Sequence, residues 1–496
     1  MAPKMLMMIA FFVTAAVVVA GVAVILKNDQ GPDTTPGTPG TPGVPPIGIY
    51  SNVGPRGNNY DDPADGIYVS PTGDDSTADG SISRPYKSIN TALRAADSGD
   101  TVILRGGTYK EGRDVRINLS NITVKSAKGE WAVIDLTAMA PGDESSAVVF
   151  YAEDRITGGI VSNCKLQCVE VKGGYYAVCM ETKWEWGQSD RRGVQDIIIE
   201  DCVLHDSKND LVKVKPNCDN VTIRYNEIFN SGREHIGYPD FEDGLRNSEG
   251  VDNVNGDNMK VQNNYIHDIC SNAIYAKGGA INALIENNRI ERAYGAGIMA
   301  GFDTSPQYFD TSVNPTYYES INCVVRNNLI IHTGWEGIGF YGSKDAQVYN
   351  NTLVDVNYAQ HYHSAIYFGL TYQDWENYAC RPANVNPNIH HNIVCQPATA
   401  SRLPMIDIRY SNDLGGMSAL SGNPTMSNNC YYIEGRSATF VDNRPSSPLG
   451  QTASAGLNEW KAHIGGDGGS IEVDPRLDAN YKPANPQCGE MGCKFT

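Results

Sequence analysis

Residues 283–293, ALIENNRIERA, decide how this chain folds. A short alternating run ends in an asparagine pair, and an apolar position follows two residues later. The pattern apolar-x-x-Asn-x-apolar returns in 221-VTIRYNEIFNSG-232, 259-MKVQNNYIHDI-269, 323-CVVRNNLIIHT-333 and 346-AQVYNNTLVDV-356. Its asparagines are Asn226, Asn264, Asn288, Asn328 and Asn351, and Cys202 holds the same place in 198-IIEDCVLHDS-207. Successive gaps are 24, 38, 24, 40 and 23 residues. A base period near 24 is one coil of a solenoid, and the longer gaps are coils with loops inserted. Each asparagine turns the corner between two strands, and stacked asparagines hydrogen-bond along the ladder. They are structural and carry no chemistry.

Composition agrees with many short strands and tight turns. Gly is 50 and aromatic residues are 9% of the 496. So long a chain forms one elongated domain only because a repeat fold escapes the usual size ceiling. The formal charge of −18 excludes the basic footprint of a nucleic-acid binder. An acidic partner must therefore meet a local basic patch. The twelve cysteines fit an exported protein with some disulfides, Cys488–Cys493 and Cys380–Cys395 being the local candidates. Neither CxxC nor Cys–His metal spacing occurs, which argues against zinc.

The ends differ from the body. Residues 1–4 precede an apolar run, 5–26, bounded by Lys4 and Lys27. It is long enough to span a bilayer and reads as a signal anchor or a signal peptide. Either exports the chain, leaving it membrane-anchored at the cell surface or secreted, with residues 1–4 cytoplasmic in the anchored case. Residues 27–65 are linker and lead-in, with a stiff Pro/Gly/Thr stalk over 31–46. From about 427 to 496 the repeat gives way to irregular coils, and 457-LNEWKAHI-464 reads as a short helix.

The entry segment, 66–112, begins 66-GIYVSPTG-73 and ends 101-TVILRGGTYKEG-112. Between them Ile89, Ala92, Leu93 and Ala96 lie at helical spacing near Ser88–Ala96, before Gly99. This segment resembles the entry of right-handed parallel β-helix proteins of the pectate-lyase-like superfamily. The resemblance implies an all-β fold: a single-stranded right-handed parallel β-helix over 113–426, closed at its start by a short capping helix. It implies little about activity, because that fold hosts lyases, hydrolases, epimerases, tailspikes and adhesins.

The repeat also sets a register. Thirteen residues past each corner, with one count made backwards, lie Lys215, Asn253, Lys277, Gly301 and Tyr341. Two places earlier stand Lys213, Val251, Tyr275, Met299 and Gly339, and the residues between, Asp252 among them, face inward. On an acidic protein this outward Lys/Tyr stripe suits a sugar chain bearing carboxylates. Two insertions, 231–250 and 302–320, flank it. In the first, Asp240, Glu242 and Asp243 are candidate Ca²⁺ ligands.

Within the superfamily, 209-NDLVKVKPNCDNVTIRYNEIFNSGREHIG-237 is similar to a pectate lyase pattern. Asn209 and Lys213 stand where that pattern has calcium-binding aspartates, and the expected arginine falls near Asn272. The paired aspartates and G-H-G of polygalacturonases and the D-P-H of alginate epimerases are absent. Some β-helix lyases use a lysine to remove the C5 proton of a uronate, and Lys277 resembles such a base. Its neighbouring lysines favour its neutral form, and the two glycines after it let a sugar approach the backbone. The expected assignment has Lys277 as base, Tyr275 or His235 as proton donor, Lys213 or Lys215 on the substrate carboxylate, and Asn253 and Tyr341 bordering the sugar. The expected partner is an acidic polysaccharide cleaved by β-elimination. The alternative is a non-catalytic surface protein: a polysaccharide binder, adhesin or self-assembling envelope component.

Overall fold

The computed structural model describes residues 48–140, 143–183, 191–232, 247–359, 363–371, 381–400, 404–450 and 455–494. The expected membrane run, 5–26, lies outside them. Among the described residues no helix is long and apolar enough to cross a membrane.

The chain winds through three long parallel sheets of 12, 11 and 12 strands, with a fourth strip of 5. Every sheet adds its strands in chain order, as a solenoid requires. The asparagine corner explains the winding. The residue before each corner asparagine sits in the left-handed region, for example Asn263 (φ 56°), Asn287 (φ 57°) and Asn327 (φ 55°). Asn tolerates that conformation better than most residues. The turn leaves a backbone N–H and C=O unpaired inside the coil, and the next asparagine satisfies them. Asn264 Nδ2 donates to Asn288 Oδ1 at 3.0 Å and to Ile223 O at 2.9 Å, while Asn288 Oδ1 also accepts from the Asn264 N–H. The expected ladder is present and runs on through Asn392 and Asn429, where the Ser470 hydroxyl ends it. A second, exposed ladder (Asn220, Asn258, Asn282, Asn322) marks another corner that the repeat reading did not anticipate.

Inside, like residues stack rung on rung. Ile223, Val261, Ile285, Val325, Val348 and Ile389 pair in register and are fully buried. Each such side chain stabilises the coil by about 1.5–3 kcal/mol relative to exposure. Helix α1 (Ile89–Ala95) forms where the spacing placed it, with the Ser88 hydroxyl accepting from the Thr91 N–H. Its Ile89, Ala92 and Leu93 join the apolar core of the first strands. Helix α2 (Leu457–Ile464) also forms and ends on Gly465 at φ 65°.

The 11-stranded sheet carries the Lys/Tyr stripe. Its strands are β1 (Val115–Ile117), β2 (Val148–Phe150), β3 (Val178–Met180), β4 (Val212–Val214), β5 (Val251–Val254), β6 (Ile274–Lys277), β7 (Ile298–Ala300), β8 (Ile338–Tyr341), β9 (Ile366–Gly369), β10 (Pro404–Ile408) and β11 (Thr439–Asp442).

No disulfide joins two of the described cysteines. The Cys488 sulfur lies 3.7 Å from Cys430 and is not joined to Cys493 as the local spacing suggested. Cys380 lies outside the described residues.

Candidate functional site

Strand pairing corrects the expected register at one strand. Val212 pairs with Val251 and Lys213 with Asp252, and Asp252 then pairs with Tyr275. The outward row of this sheet is therefore Lys213, Asp252, Tyr275, Met299, Gly339, Tyr367 and Asp407. Asp252, expected inside, is outward, and Asn253 takes the inward row with Val214 and Ala276. Asn253 does not border a substrate. Its amide accepts from the Gly256 N–H and donates to Gly256 O, closing a turn inside the coil.

With the register corrected, a cluster of acids appears. Ligand oxygens of Asp210, Glu249 and Asp252 lie within 4.8 Å of one another, and all three residues are buried. Asp210 accepts from the Glu249 N–H at 2.9 Å and from Lys213 Nζ at 3.1 Å. Lys213 also donates to Asp252 Oδ2. Lys277 Nζ stands 3.8 Å from Asp252 Oδ1 and 4.3 Å from the centre of the Tyr275 ring. Among the described residues, Glu249 Oε2 and Asp252 Oδ1 have no hydrogen-bond partner.

Burial and charge divide the labour among these acids. Burial, with the Asp210 charge behind it, pushes the Glu249 carboxyl well above the usual range. Burial also drives Asp252 upward, but the Lys213 and Lys277 ammonium groups overcome it and hold Asp252 low. Burial disfavours the Lys213 charge, yet Asp210 and Asp252 raise its pKa well above the ordinary lysine value. Burial raises the Tyr275 phenol far above its ordinary value, so it stays protonated, and the Asn272 amide donates to its oxygen.

The structure thus gathers Lys277, Tyr275 and Lys213 around Asp252. Lys277 is only 7% exposed, not a free outward ammonium. Asp252 lies between it and Lys213, so the two lysines do not act on each other as bare like charges. Lys215 sits apart from them, paired with Glu181 at 2.7 Å. Tyr341 is buried, and its hydroxyl donates to Glu336 Oε1 at 2.8 Å. His235, Asp240, Glu242 and Asp243 lie outside the described residues. The sequence reading looked for carboxylates at Asn209 and Lys213 and passed over Asp210 between them. Glu249 closes the first insertion. Aligning 251-VDNV-254 on 274-IYAK-277 by their apolar positions would have exposed Asp252.

The two glycines after Lys277 serve the protein's own backbone. Gly278 (φ 71°) and Gly279 (φ 97°) turn the chain in the left-handed region. A Cβ on Gly278 would meet Val254 Cγ1 at 2.9 Å, which replaces the expected sugar contact as the reason for glycine. Glu319 pins this turn. Its Oε2 accepts from the Gly278 N–H at 2.9 Å and the Thr304 hydroxyl at 2.7 Å, and its Oε1 accepts from Arg381 Nε at 2.9 Å. The buried Arg381 guanidinium lies over the rings of Phe309 and Tyr317, so the second insertion is fastened to the Lys277 turn. Burial pushes the Glu319 carboxyl up to about 7 against the pull of Arg381.

Comparison with known proteins agrees with this architecture. A family model described as a right handed beta helix region matches residues 144–305 and 240–370. The body of this chain is a right-handed parallel β-helix. The superfamily resemblance read from the entry segment holds at the level of this coil. Pectate lyase PEL9 of Emericella nidulans is 39% identical over 74 residues, 14% of this chain and 18% of the relative. The match thus spans under a fifth of that protein's length. Among solved β-helices, the A-module of mannuronan C-5 epimerase AlgE6 from Azotobacter vinelandii has a TM-score of 0.48 at 13% identity, covering 78% of this chain and 95% of its own. PfbA, a surface adhesin of Streptococcus pneumoniae, has a TM-score of 0.46 at 11% identity, covering 71% and 83%. Pectate lyase Pel9A has a TM-score of 0.39 at 15% identity, covering 79% and 81%. Identities this low do not bear on activity.

Proposed function

We propose that this β-helix acts outside the cell on an acidic, uronate-containing polysaccharide and cleaves it by β-elimination. The observation that carries this reading is the placing of Lys277 and Tyr275 against a buried carboxylate cluster, two of whose oxygens have no hydrogen-bond partner among the described residues. Lysines commonly cover exposed sheets. A lysine sunk beside a buried acid and a protonated phenol is a costly arrangement that a purely structural surface does not require.

In this reading Lys277 acts as the neutral amine, its resting proton released to solvent as substrate binds, and its Nζ takes the C5 proton of a uronate. The electron pair forms the C4–C5 double bond as the C4–O bond breaks, and the Tyr275 hydroxyl returns a proton to the leaving oxygen. Asn272 orients that hydroxyl. Asp210, Glu249 and Asp252 suit a hard cation such as Ca²⁺, which takes oxygen ligands and leaves room for those of a substrate. Bound there, Ca²⁺ would supply charge to the uronate carboxylate and make the C5 proton more acidic. These residues replace Asp240, Glu242 and Asp243 as the proposed ligands.

One observation favours the non-catalytic alternative. The Lys213 ammonium already bridges Asp210 and Asp252, so these acids have a cation of the protein's own between them. A self-satisfied cluster fits a binding surface that needs no metal. Turnover on pectate and alginate, with calcium and with chelator, separates the two. Absorbance from an unsaturated uronate supports the lyase; binding of a polyuronate without any absorbance change supports the binder.

A further inference from the structure

The outward row does not end at Tyr275. Three rungs on, about 14 Å at the usual strand spacing, stands Tyr367. A second polar centre is built around it. Glu336 is fully buried and accepts from the Tyr341 hydroxyl at 2.8 Å and from His363 Nδ1. These bonds fix the orientation of His363, whose ring stacks on Tyr367 at 4.4 Å and tilts against Trp335 at 5.2 Å. No hydrogen bond is made by His363 Nε2 among the described residues. The buried Tyr367 hydroxyl lies beside Arg409, an exposed cation.

Glycine makes room for this arrangement. A Cβ on Gly339 would meet Glu336 Oε1 at 2.5 Å, and one on Gly369 would meet the Tyr341 ring at 2.0 Å. Tyr341 therefore lies flat across two strands that carry no side chain beneath it. A buried carboxylate that orients a histidine, with the outer ring nitrogen left open, is how proteins present an imidazole to a ligand. An aromatic ring beside that nitrogen and a cation at the edge match one ligand chemistry: a sugar ring bearing a carboxylate.

We infer that His363, Trp335, Tyr367 and Arg409 form a distal subsite that binds a second uronate residue of the chain held at Lys277. This rests on the polyuronate reading above. His363 Nε2 and Arg409 meet the carboxylate, and the ring of Trp335 lies against the sugar. The subsite serves affinity and length preference, and takes no part in bond breaking. A three-residue oligomer centred on Lys277 does not reach it, whereas a six-residue oligomer does.

The test is calorimetric titration of the full chain with tri- and hexagalacturonate and tri- and hexamannuronate. Loss of one charge-assisted contact is expected to weaken hexamer binding about tenfold in His363→Ala and in Arg409→Ala, with trimer binding unchanged. Arg409 is exposed, so its variant remains folded by circular dichroism even where His363→Ala does not. Equal hexamer affinity in wild type and Arg409→Ala, or equal losses for trimer and hexamer, overturns the subsite and leaves the polyuronate reading standing. Failure of the wild type to bind any of the four oligomers overturns both.

Discussion

Lys277 Nζ and Asp252 Oδ1 face each other at 3.8 Å on neighbouring strands, and among the described residues no hydrogen bond satisfies that carboxylate oxygen. Asp252 is the hub of the site, because both lysines depend on it. Asp252→Ala leaves Lys213 with Asp210 as its remaining partner and takes away the ion-pair partner of Lys277. Breaking a buried pair in this way costs about 3–5 kcal/mol. Urea unfolding of the variant is expected to show that loss, together with loss of turnover. Asp252→Asn, which keeps the shape, is expected to be milder in stability and equally inactive.

The turn after Lys277 gives a second expectation. Gly278→Ala forces a side chain into a left-handed conformation and against Val254. A penalty of about 1–2 kcal/mol is expected in thermal unfolding. Because the Lys277 side chain shifts with its strand end, kcat should fall more than KM rises. Steady-state kinetics of a folded variant checks this, and an unchanged kcat would detach the turn from catalysis.

Much of this molecule was legible from five asparagines. Asn226, Asn264, Asn288, Asn328 and Asn351 gave the coil and its corners because one buried amide must satisfy the same backbone groups on every rung. The site was legible only in part. Lys277 and Tyr275 were found because their coil has no insertion. Asp252 was missed because the loop before it broke the count, and a slip of one residue exchanges the two faces of a strand. Glu336, Glu319 and His363 come from turns whose path the repeat does not dictate, so no periodicity pointed to them.

Two buried histidines on another sheet set a pH dependence of stability. Burial disfavours the charged form of His205, but hydrogen bonds to Asp206 and Glu170 outweigh it and raise its pKa above 6.5. Burial is likewise outweighed at His267 by Asp268 and Glu227. A raised folded-state value means that the contribution is full below about 6.5 and is lost as pH rises through the folded value. The melting temperature should therefore fall as pH rises above that point. In the double variant His205→Gln/His267→Gln the fall should flatten; an identical pH profile would remove these residues from the account.

Cys430 and Cys488 bring the C-terminal tail to the last coils with sulfurs 3.7 Å apart. Under a mild thiol oxidant they are expected to join, each losing its hydrogen, while Cys493 stays reduced. Non-reducing peptide mapping checks the pairing. The bond should raise the melting temperature, since a cross-link of this loop length stabilises by about 3–5 kcal/mol in the chain-entropy account.

The central claim is that Lys277 is a base. The most direct measurement is the ultraviolet absorbance of unsaturated uronate released from pectate and alginate by wild type and by Lys277→Ala, each shown folded by circular dichroism. The account predicts steady release by the wild type in the presence of calcium and none by the variant. Equal release by both, or release by neither with polymer still bound, contradicts it.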